Sequence, residues 1–457
     1  MATNATSVPA PAGPVPFKDV ENNVDLQATS VPAERFPEEH DDAMLLLSAL
    51  PIKLAAGTKL KLRCYQGFWL PERFVPAAVA MQRRLVPRPD DVVIASLPKC
   101  GTTWLNALAF ATMARRSYPP AGADHPLLRL NPHECVPFLD ALLAEAGGEA
   151  RLAALPSPRL MYTHMPHVML PRGSKKVVYI CREPKDTAVS LWQFRRSAHP
   201  ELPFGDTFDS VCDGGSTYGP FWDHVLGYWR ASLECPGQVL FLRYEELLRD
   251  PAENVRRLAR FVGAPFSDAE EEAGFVRGIV ELCSLGSLRN VEANRTGLMD
   301  GLGFPRKALF RKGVAGDWAN HMTPEMARRM DEVVADKFRG TAMDLDLGRA
   351  GAGSLGTTMV STPFSTPALI CSTFTCSGSA TSRANSGFPR SATCHTVSSF
   401  SSSDFSFAAA LTVSTLPSST CTLTSSLPSP GTLILMTWEV GVSTQSMAAV
   451  DEAYGWA

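Results

Sequence analysis

The chain has 457 residues, of which 45% are hydrophobic, so it exceeds one typical domain in length and can bury a large core. Its formal net charge of -3 at pH 7 argues against nonspecific nucleic-acid binding, which needs a surplus of basic residues. The sequence has neither a signal-peptide pattern nor 18 consecutive uncharged apolar residues, and its 11 cysteines lack metal-binding spacing. We therefore expect a soluble cytosolic protein with reduced thiols and no membrane segment.

A strand, a tight loop and a helix are predicted between residues 92 and 116. Residues 92–97 are apolar and rich in β-branched side chains, proline and glycine follow, and residues 104–116 are helix formers. Three further strands are predicted at residues 159–163, 176–181 and 239–243, and helical patterns follow the last two. Strands that alternate with helices predict a central parallel sheet in one α/β domain, which we assign to residues 44–347.

The loop after the first strand predicts an anion site. Backbone N–H groups and a helix N-terminus meet there, and Lys99, Thr102 and Thr103 add a cation and two hydroxyls. The usual NTP-binding loop differs, because its lysine follows a glycine whereas Lys99 precedes Gly101. An ordinary glycine turn with a surface lysine remains the alternative.

Other parts of the domain alternate between helices and loops. A loop followed by an amphipathic helix is predicted within residues 125–146, and further helices are predicted from residue 186 onward and at residues 221–233 and 323–338. Residues 200–220 and 282–313 are predicted as loops. The second loop ends in paired basic residues, and its composition suits a mobile cover over a site or a plain surface connection.

Both ends of the chain differ in composition from the domain. Residues 1–43 are rich in alanine, proline, valine and acids without any period, which predicts a disordered lead-in. Residues 348–457 are dominated by serine and threonine, and residues 350–446 contain four charged side chains: Arg383, Arg390, Asp404 and Glu439. We predict a low-complexity, largely unstructured tail; a small β module and a faulty gene model are the alternatives.

Three further places carry candidate chemistry. Arg182 follows the third strand with Ser190 in the next helix, and residues 311–313 place two cations beside a glycine; both suit a phosphate. His164 follows the second strand, where a neutral imidazole can take a proton from a hydroxyl. Taken singly, each has a structural alternative: pairing of Arg182 with Glu183 or Asp186, a solvated basic turn, and a structural histidine.

In combination these segments resemble the cytosolic sulfotransferases. LPKCGTTW at 97–104, YICREPKDTAVS at 179–190 and RKGVAGDW at 311–318 occur in the order and spacing of that family, and the resemblance runs from about residue 65 to residue 347. The loop cysteine, NPHECVPF at 131–138 and the TPEM segment are similar to the plant branch in particular.

The resemblance implies a doubly wound α/β enzyme that uses 3′-phosphoadenosine 5′-phosphosulfate (PAPS) and no metal. By similarity, the residues around the 5′-phosphosulfate are Lys99, Cys100, Gly101, Thr102 and Thr103, with Trp104 stacked on the adenine. Those around the 3′-phosphate are Arg182, Ser190, Arg311, Lys312 and Gly313, while Tyr244, Cys283, Ser284 and Leu288 line the nucleotide. His164 is the implied base, and Lys99 the implied cation on the leaving phosphate oxygen.

Three departures from the family pattern bear on these roles. Leu285 replaces an aromatic residue beside the adenine, Ala319 replaces the lysine that commonly follows GDW, and His167 stands at a position where plant relatives have a pocket aromatic. The expected acceptor is a small hydroxylated molecule such as a flavonoid, brassinosteroid, hydroxyjasmonate or desulfoglucosinolate. The expected assembly is a monomer or weak homodimer. A nucleotide-dependent kinase, which would need Mg²⁺, and a non-catalytic nucleotide-binding relative are the rival interpretations.

Overall fold

The computed structural model describes residues 13–23, 45–299, 303–341 and 343, and the backbone of four strands between residues 394 and 441. Contacts within the chain separate it into two units, residues 1–357 and 358–457. Across these described parts, no helix is both long enough and apolar enough to cross a lipid bilayer.

A small antiparallel sheet comes first in the larger unit. It consists of β1 (Ile52–Leu54), β2 (Lys61–Tyr65) and β3 (Phe68–Pro71), in that spatial order. β2 and β3 are joined by Gln66 and Gly67, which both have positive φ. A two-residue turn of this kind follows the right-handed twist of the strands that it connects.

The central sheet has four parallel strands. They are β4 (Val92–Ser96), β5 (Leu160–Thr163), β6 (Lys176–Cys181) and β7 (Val239–Arg243), and their spatial order is β5-β4-β6-β7. This confirms the predicted parallel sheet, although β4 ends one residue earlier and β5 begins one residue later than expected. Because all four strands are parallel, their carboxyl ends meet at one edge of the sheet.

Both faces of the central sheet are covered. Val93 and Ala95 of β4 belong to one hydrophobic cluster, whereas the alternating Val92 and Ile94 belong to the other. A strand that is buried on both faces reads as a continuous apolar run, which is why β4 could be predicted from composition.

The helices of the larger unit are α1 (Phe17–Asn23), α2 (Val75–Arg83), α3 (Thr102–Met113), α4 (Pro132–Cys135), α5 (Leu139–Leu142), α6 (Gly148–Ala154), α7 (Pro184–Arg196), α8 (Phe204–Cys212), α9 (Phe221–Glu234), α10 (Tyr244–Arg249), α11 (Pro251–Phe261), α12 (Asp268–Glu272), α13 (Phe275–Leu282), α14 (Leu285–Asn290), α15 (Glu292–Arg295) and α16 (Pro324–Lys337). Residues 45–49 are helical as well. Short 3₁₀ turns lie at Glu72–Phe74, Pro126–Leu128, His167–Met169, Arg306–Leu309 and Asp317–Asn320.

Three element predictions were wrong. The predicted loop at 200–220 contains α8, whose Phe208 and Val211 are buried against the core. The loop at 282–313 contains α14 and α15. The loop expected in the first part of residues 125–146 contains α4, and the amphipathic helix expected after it is the short α5; Pro137 separates the two because it cannot donate a helical hydrogen bond.

The predicted lead-in is helical at one place. α1 buries Phe17, which is 9% exposed, and Asp19 and Glu21 form ion pairs with Arg129 and Arg151. These long-range contacts hold a segment that has no amphipathic period of its own. The other residues of the predicted 1–43 lead-in lie outside the described ones.

The smaller unit contains an antiparallel sheet of β8 (Cys394–Ser402), β9 (Phe405–Thr415), β10 (Thr420–Ser425) and β11 (Trp438–Gly441). Pairing of these strands corresponds to the alternative of a small β module. The remaining tail residues lie outside the described ones, and for them the unstructured tail stays a prediction.

Candidate functional site

A cavity of about 920 Å³ lies where the loop after β4 enters α3. Segments that are far apart in the chain meet around it, including the ends of β5, β6 and β7 and the basic turn at 311–313. The predicted site residues that line it are Lys99, Gly101, Thr102, Thr103, Trp104, His164, Arg182, Ser190, Tyr244, Cys283, Ser284, Leu288, Arg311, Lys312 and Gly313.

Cys100 is the one predicted site residue that lies outside this lining. Its N–H donates to the carbonyl of Leu97 at 3.3 Å, and its Sγ lies 3.7 Å from the hydroxyl of Thr187. Burial raises the pKa of its thiol to about 11, so the side chain is a neutral packing group.

The loop after β4 depends on glycine at its most crowded point. Gly101 caps α3 with a φ of 109°, and a Cβ there would lie 2.7 Å from the ring of Tyr244. Ser96 and Thr102 share a 2.6 Å hydrogen bond that ties the strand end to the first turn of the helix. The chain can therefore bend with its first helical N–H groups uncovered beside the cavity.

Lys99 is the cation of this loop. It has a φ of 73°, and its ammonium lies 4.1 Å from the centre of the Phe194 ring. Burial, together with the positive charges of Arg182 and Arg311, lowers the pKa of Lys99 to about 7. Three cations that repel one another in this way form a preorganised anion site.

Arg182 links the cavity lining to the basic turn. Its guanidinium donates to the carbonyl of Val314 at 2.9 Å and lies 4.5 Å from the centre of the Tyr244 ring. Asp186 is 3.7 Å away, so the carboxylate pairing considered from sequence is present. It is a loose contact, because the carboxylate of Asp186 accepts shorter bonds elsewhere.

Asp186 holds the basic turn in place. Its two oxygens accept the N–H groups of Gly316 at 2.7 Å and Trp318 at 3.0 Å. The segment at 311–318 is therefore fastened to the first turn of α7, which also carries Arg182 at its entry.

The two cations of the basic turn share one carboxylate. Arg311 and Lys312 each donate to an oxygen of Asp317 at 2.5 Å. Burial alone would raise the pKa of Asp317, but these hydrogen bonds outweigh it and hold the pKa well below its usual range. Gly313 follows with a φ of 67°, and a Cβ there would lie 2.8 Å from Leu285.

Another part of the cavity lining consists of two aromatic side chains and the N-terminus of α14. Trp104 meets Tyr244 edge to face at 5.9 Å between ring centres. Ser284 caps α14 by accepting the N–H of Ser287 at 3.1 Å, while Cys283 and Leu288 are buried on either side. Ser190 is 9% exposed on the adjacent face of α7.

His164 presents an unprotonated nitrogen. Its Nδ1 lies 2.8 Å from the carbonyl of Ser96, which can only accept, so Nδ1 carries the proton and Nε2 the lone pair. Burial lowers the pKa of His164 to about 4, with Lys99 acting in the same direction against the bond to Ser96. Its backbone N–H donates to the buried Asp140 at 3.2 Å, and Thr163 bonds the same carboxylate.

Sequence reasoning missed two of these supports. Asp140 precedes His164 by 24 residues and nothing in the local pattern marks it. His133 bonds the hydroxyl of Thr103 at 2.8 Å, and burial lowers its pKa to about 3, so it is neutral. The NPHE segment was noticed for family likeness alone, without a role for its histidine.

The three departures lie in different surroundings. Leu285 lines the cavity against Gly313, whereas Ala319 is exposed in the 3₁₀ turn that follows the basic segment. His167 is not among the residues that line the described cavity, and its place in an acceptor pocket stays a prediction. Its ring packs on Tyr228 at 5.3 Å.

The fold and this cavity define a class of protein: a parallel α/β domain with a preorganised anion site at the carboxyl ends of its strands. Groups of three or more His, Cys, Asp or Glu that could hold a metal ion are absent from the described residues.

Comparison with known proteins gives the family. A family model for the sulfotransferase domain matches residues 89–342. The chain is 44% identical over 315 residues to Cytosolic sulfotransferase 8 of Arabidopsis thaliana, covering 67% of this chain and 93% of that protein. It is 39% identical over 310 residues to a flavonol sulfotransferase-like protein of Flaveria bidentis, covering 66% and 99%. A crystal structure of an Arabidopsis thaliana sulphotransferase superposes with a TM-score of 0.53 at 34% identity, covering 68% and 99%.

The chain belongs to the plant cytosolic sulfotransferase family and is a sulfotransferase enzyme.

Proposed function

We propose that this enzyme moves the sulfuryl group of PAPS to a hydroxyl of a small-molecule acceptor in the cytosol, as a monomer or weak homodimer that needs no metal, nucleic acid or membrane. The observation that carries the proposal is the meeting of Lys99 and His164 in one cavity with a second cluster of cations.

The lining of the cavity suits a polyanionic nucleotide. Among the described residues that line it there is no aspartate or glutamate, whereas Lys99, Arg182, Arg311 and Lys312 all contribute positive charge. The backbone at Gly101 and Gly313 passes so close to neighbouring side chains that a Cβ would clash, which keeps both loops narrow around the bound group. PAPS supplies the sulfuryl group when bound and contains a phosphosulfate and a separate 3′-phosphate.

Two sets of side chains divide those anions between them. Lys99, Thr102 and Thr103 hold the phosphosulfate at the N-terminus of α3, where backbone N–H groups favour negative charge. Arg182, Ser190 and the 311–313 turn hold the 3′-phosphate, since an arginine fork matches the geometry of phosphate oxygens.

His164 acts as the base. Its Nε2 lone pair takes the proton of the acceptor hydroxyl as that oxygen attacks. The proton on Nδ1 remains hydrogen-bonded to the Ser96 carbonyl, which fixes the orientation of the ring. Lys99 stabilises the charge that develops on the leaving phosphate oxygen, and the surrounding cations keep it oriented.

Calorimetry tests the nucleotide assignment. Adenosine 3′,5′-bisphosphate is titrated into the purified protein with EDTA present and ATP as competitor. We expect tight binding that ATP does not displace, because ATP lacks a 3′-phosphate. Displacement by ATP, or binding that requires Mg²⁺, would contradict the proposal and favour a kinase.

A His164→Ala variant tests the base. We expect nucleotide binding to stay within about twofold, because His164 bonds a strand carbonyl and not the predicted phosphate groups. Turnover should fall by roughly 10²- to 10⁴-fold, the usual contribution of a general base. A variant that binds nucleotide and turns over like the wild type would remove this assignment.

A further inference from the structure

We infer that the acceptor carries a carboxylate as well as the hydroxyl, and that Arg195 binds this carboxylate while the hydroxyl faces His164. This inference rests on the proposed function, whose acceptor it specifies.

Arg195 is a buried cation in the cavity wall. It lies near the end of α7, is 6% exposed and lines the same cavity as His164. One of its nitrogens donates to the hydroxyl of Thr217 at 3.0 Å, and another is buried without any hydrogen-bond partner among the described residues.

The other most buried arginines among the described residues each have a carboxylate partner. Arg115 donates to Glu270 through two nitrogens, at 2.8 and 3.1 Å, and Arg159 pairs with Asp91. Arg195 has no carboxylate partner in the described part of the chain. A buried, unpaired charge costs stability, so a residue of this kind is expected where an incoming group supplies the missing partner.

The charge of Arg195 persists. Burial lowers the pKa of its guanidinium to about 10, which still leaves it positive at neutral pH. Arg195 donates to Thr217, whereas Arg182 and Arg311 both bond residues of the 311–318 segment. Arg195 is therefore held separately from the cations assigned to the nucleotide.

Its position is on the acceptor side. Thr217, which accepts from Arg195, precedes Tyr218, whose ring lies 5.4 Å from the ring of His164. Arg73 also lines the cavity: its guanidinium is 4.5 Å from the centre of the Phe74 ring, and its charge acts on the Tyr218 phenol. The wall beside the base is thus cationic.

Aromatic rings supply the rest of the acceptor wall. Phe138 lies 5.3 Å from His164, and Phe194 stacks on Phe304 at 4.3 Å between ring centres. An apolar body with one anionic end and one hydroxyl fits these surroundings. In the transfer, the hydroxyl oxygen forms the new bond to sulfur, its proton goes to His164 Nε2 and the sulfur–phosphate oxygen bond breaks; the carboxylate is unchanged.

Paired probes test the inference with the wild-type protein. The kcat/KM is measured for ω-hydroxy fatty acids of graded length and for a hydroxyphenylpropanoic acid, each beside its own methyl ester. We expect the acid of the best length to exceed its ester by roughly 10- to 100-fold, as a charged hydrogen bond predicts. Equal rates, or preference for the esters across the whole panel, would overturn the inference.

Variants then locate the effect. Arg195→Met should remove the preference by lowering kcat/KM for the acid, mainly through KM, and leave the ester within about twofold, whereas Arg195→Lys should restore part of it. Arg196→Met is the matched control, because Arg196 donates to the Pro200 carbonyl outside the cavity lining and should change neither substrate. An unchanged preference in Arg195→Met would overturn the assignment to this residue.

Para-nitrophenol and adenosine 3′,5′-bisphosphate separate this inference from the proposed function. If the neutral phenol is sulfated and the nucleotide binds, but acids have no advantage, the carboxylate inference fails and the proposed function stands. If neither nucleotide binding nor transfer to any probe is found, both fail.

Discussion

Lys99 has a charge that depends on what fills the cavity. Its amine is buried, faces two arginines and has a pKa lowered to about 7, so a large fraction of the free protein holds it neutral just above that pH. An anion beside it favours the protonated form and raises the pKa. Binding of an anionic nucleotide is thereby linked to uptake of a proton.

The sign of this linkage is testable. Between a free pKa of about 7 and the higher bound value, the complex holds more protons than its components. The affinity for adenosine 3′,5′-bisphosphate should thus be greatest below pH 7 and fall as the pH rises toward 9. Calorimetry at pH 8 in buffers of different ionisation enthalpy should show net proton uptake.

Lys99→Met is the control for that measurement. This variant should bind adenosine 3′,5′-bisphosphate more weakly at pH 7 and should lose most of the proton uptake that accompanies binding. Wild-type binding without proton uptake at pH 8 would contradict the expected link to Lys99.

Among individual residues, the side chains that face the cavity could be predicted from the sequence, whereas most of those that support them could not. Lys99 and Arg182 stand at strand ends, where topology directs a loop toward the sheet edge. Asp140 and His133 act through bonds to residues 24 and 30 positions away, and no local spacing encodes those pairs. Arg195 lies in α7 beyond the 179–190 motif, and no sequence signal distinguishes it from exposed Arg196.

Among the elements, the first turn of α7 and the basic turn are held together by one carboxylate. Asp186 accepts two N–H groups of the turn, one on each oxygen, and an asparagine there can accept only one of them, so one donor is left without a partner. Each unsatisfied donor in a partly buried place costs about 1–3 kcal/mol. The turn should then occupy its binding position for a smaller share of the time.

We expect Asp186→Asn to weaken binding of adenosine 3′,5′-bisphosphate by roughly 10- to 100-fold. Removing a negative charge near Arg182 would by itself strengthen anion binding, so a net loss identifies the role of Asp186 in holding the turn. The dissociation constant is measured well below the melting temperature. Asp209→Asn, which removes an exposed partner of Arg329, serves as the control, and equal or tighter binding by Asp186→Asn would refute the expectation.

Elements were predictable where composition and burial agree. The four parallel strands were recognised because their apolar runs are buried on both faces. α8 was missed because glycine, aspartate and proline dominate residues 200–220, while the burial of Phe208 and Val211 depends on partners elsewhere in the chain. The basic turn at 311–318 is irregular in pattern, and Asp186 orders it from a distance.

In the whole molecule, the site belongs to one unit. Every described residue that lines the cavity falls between residues 58 and 313, and the sulfotransferase model ends at residue 342. The chain divides by contacts after residue 357, near the composition change predicted at 348.

A truncation after residue 347 should therefore keep its activity. We expect kcat/KM with para-nitrophenol and PAPS within about twofold of the full chain, because the truncation removes no cavity-lining residue. The melting temperature of the two forms is compared alongside. Loss of folding or turnover on removing residues 348–457 would show that the tail supports the domain.

Asp317 gives the basic turn a counterion of its own. Before any nucleotide arrives, Arg311 and Lys312 are already neutralised in part by this carboxylate, so an arriving phosphate exchanges one anionic partner for another. Fewer mobile salt ions are released than a count of cations suggests, and the affinity should vary less steeply with ionic strength. Although the net charge of the protein is -3, its basic pocket should therefore bind an anion with similar affinity in dilute and in concentrated salt.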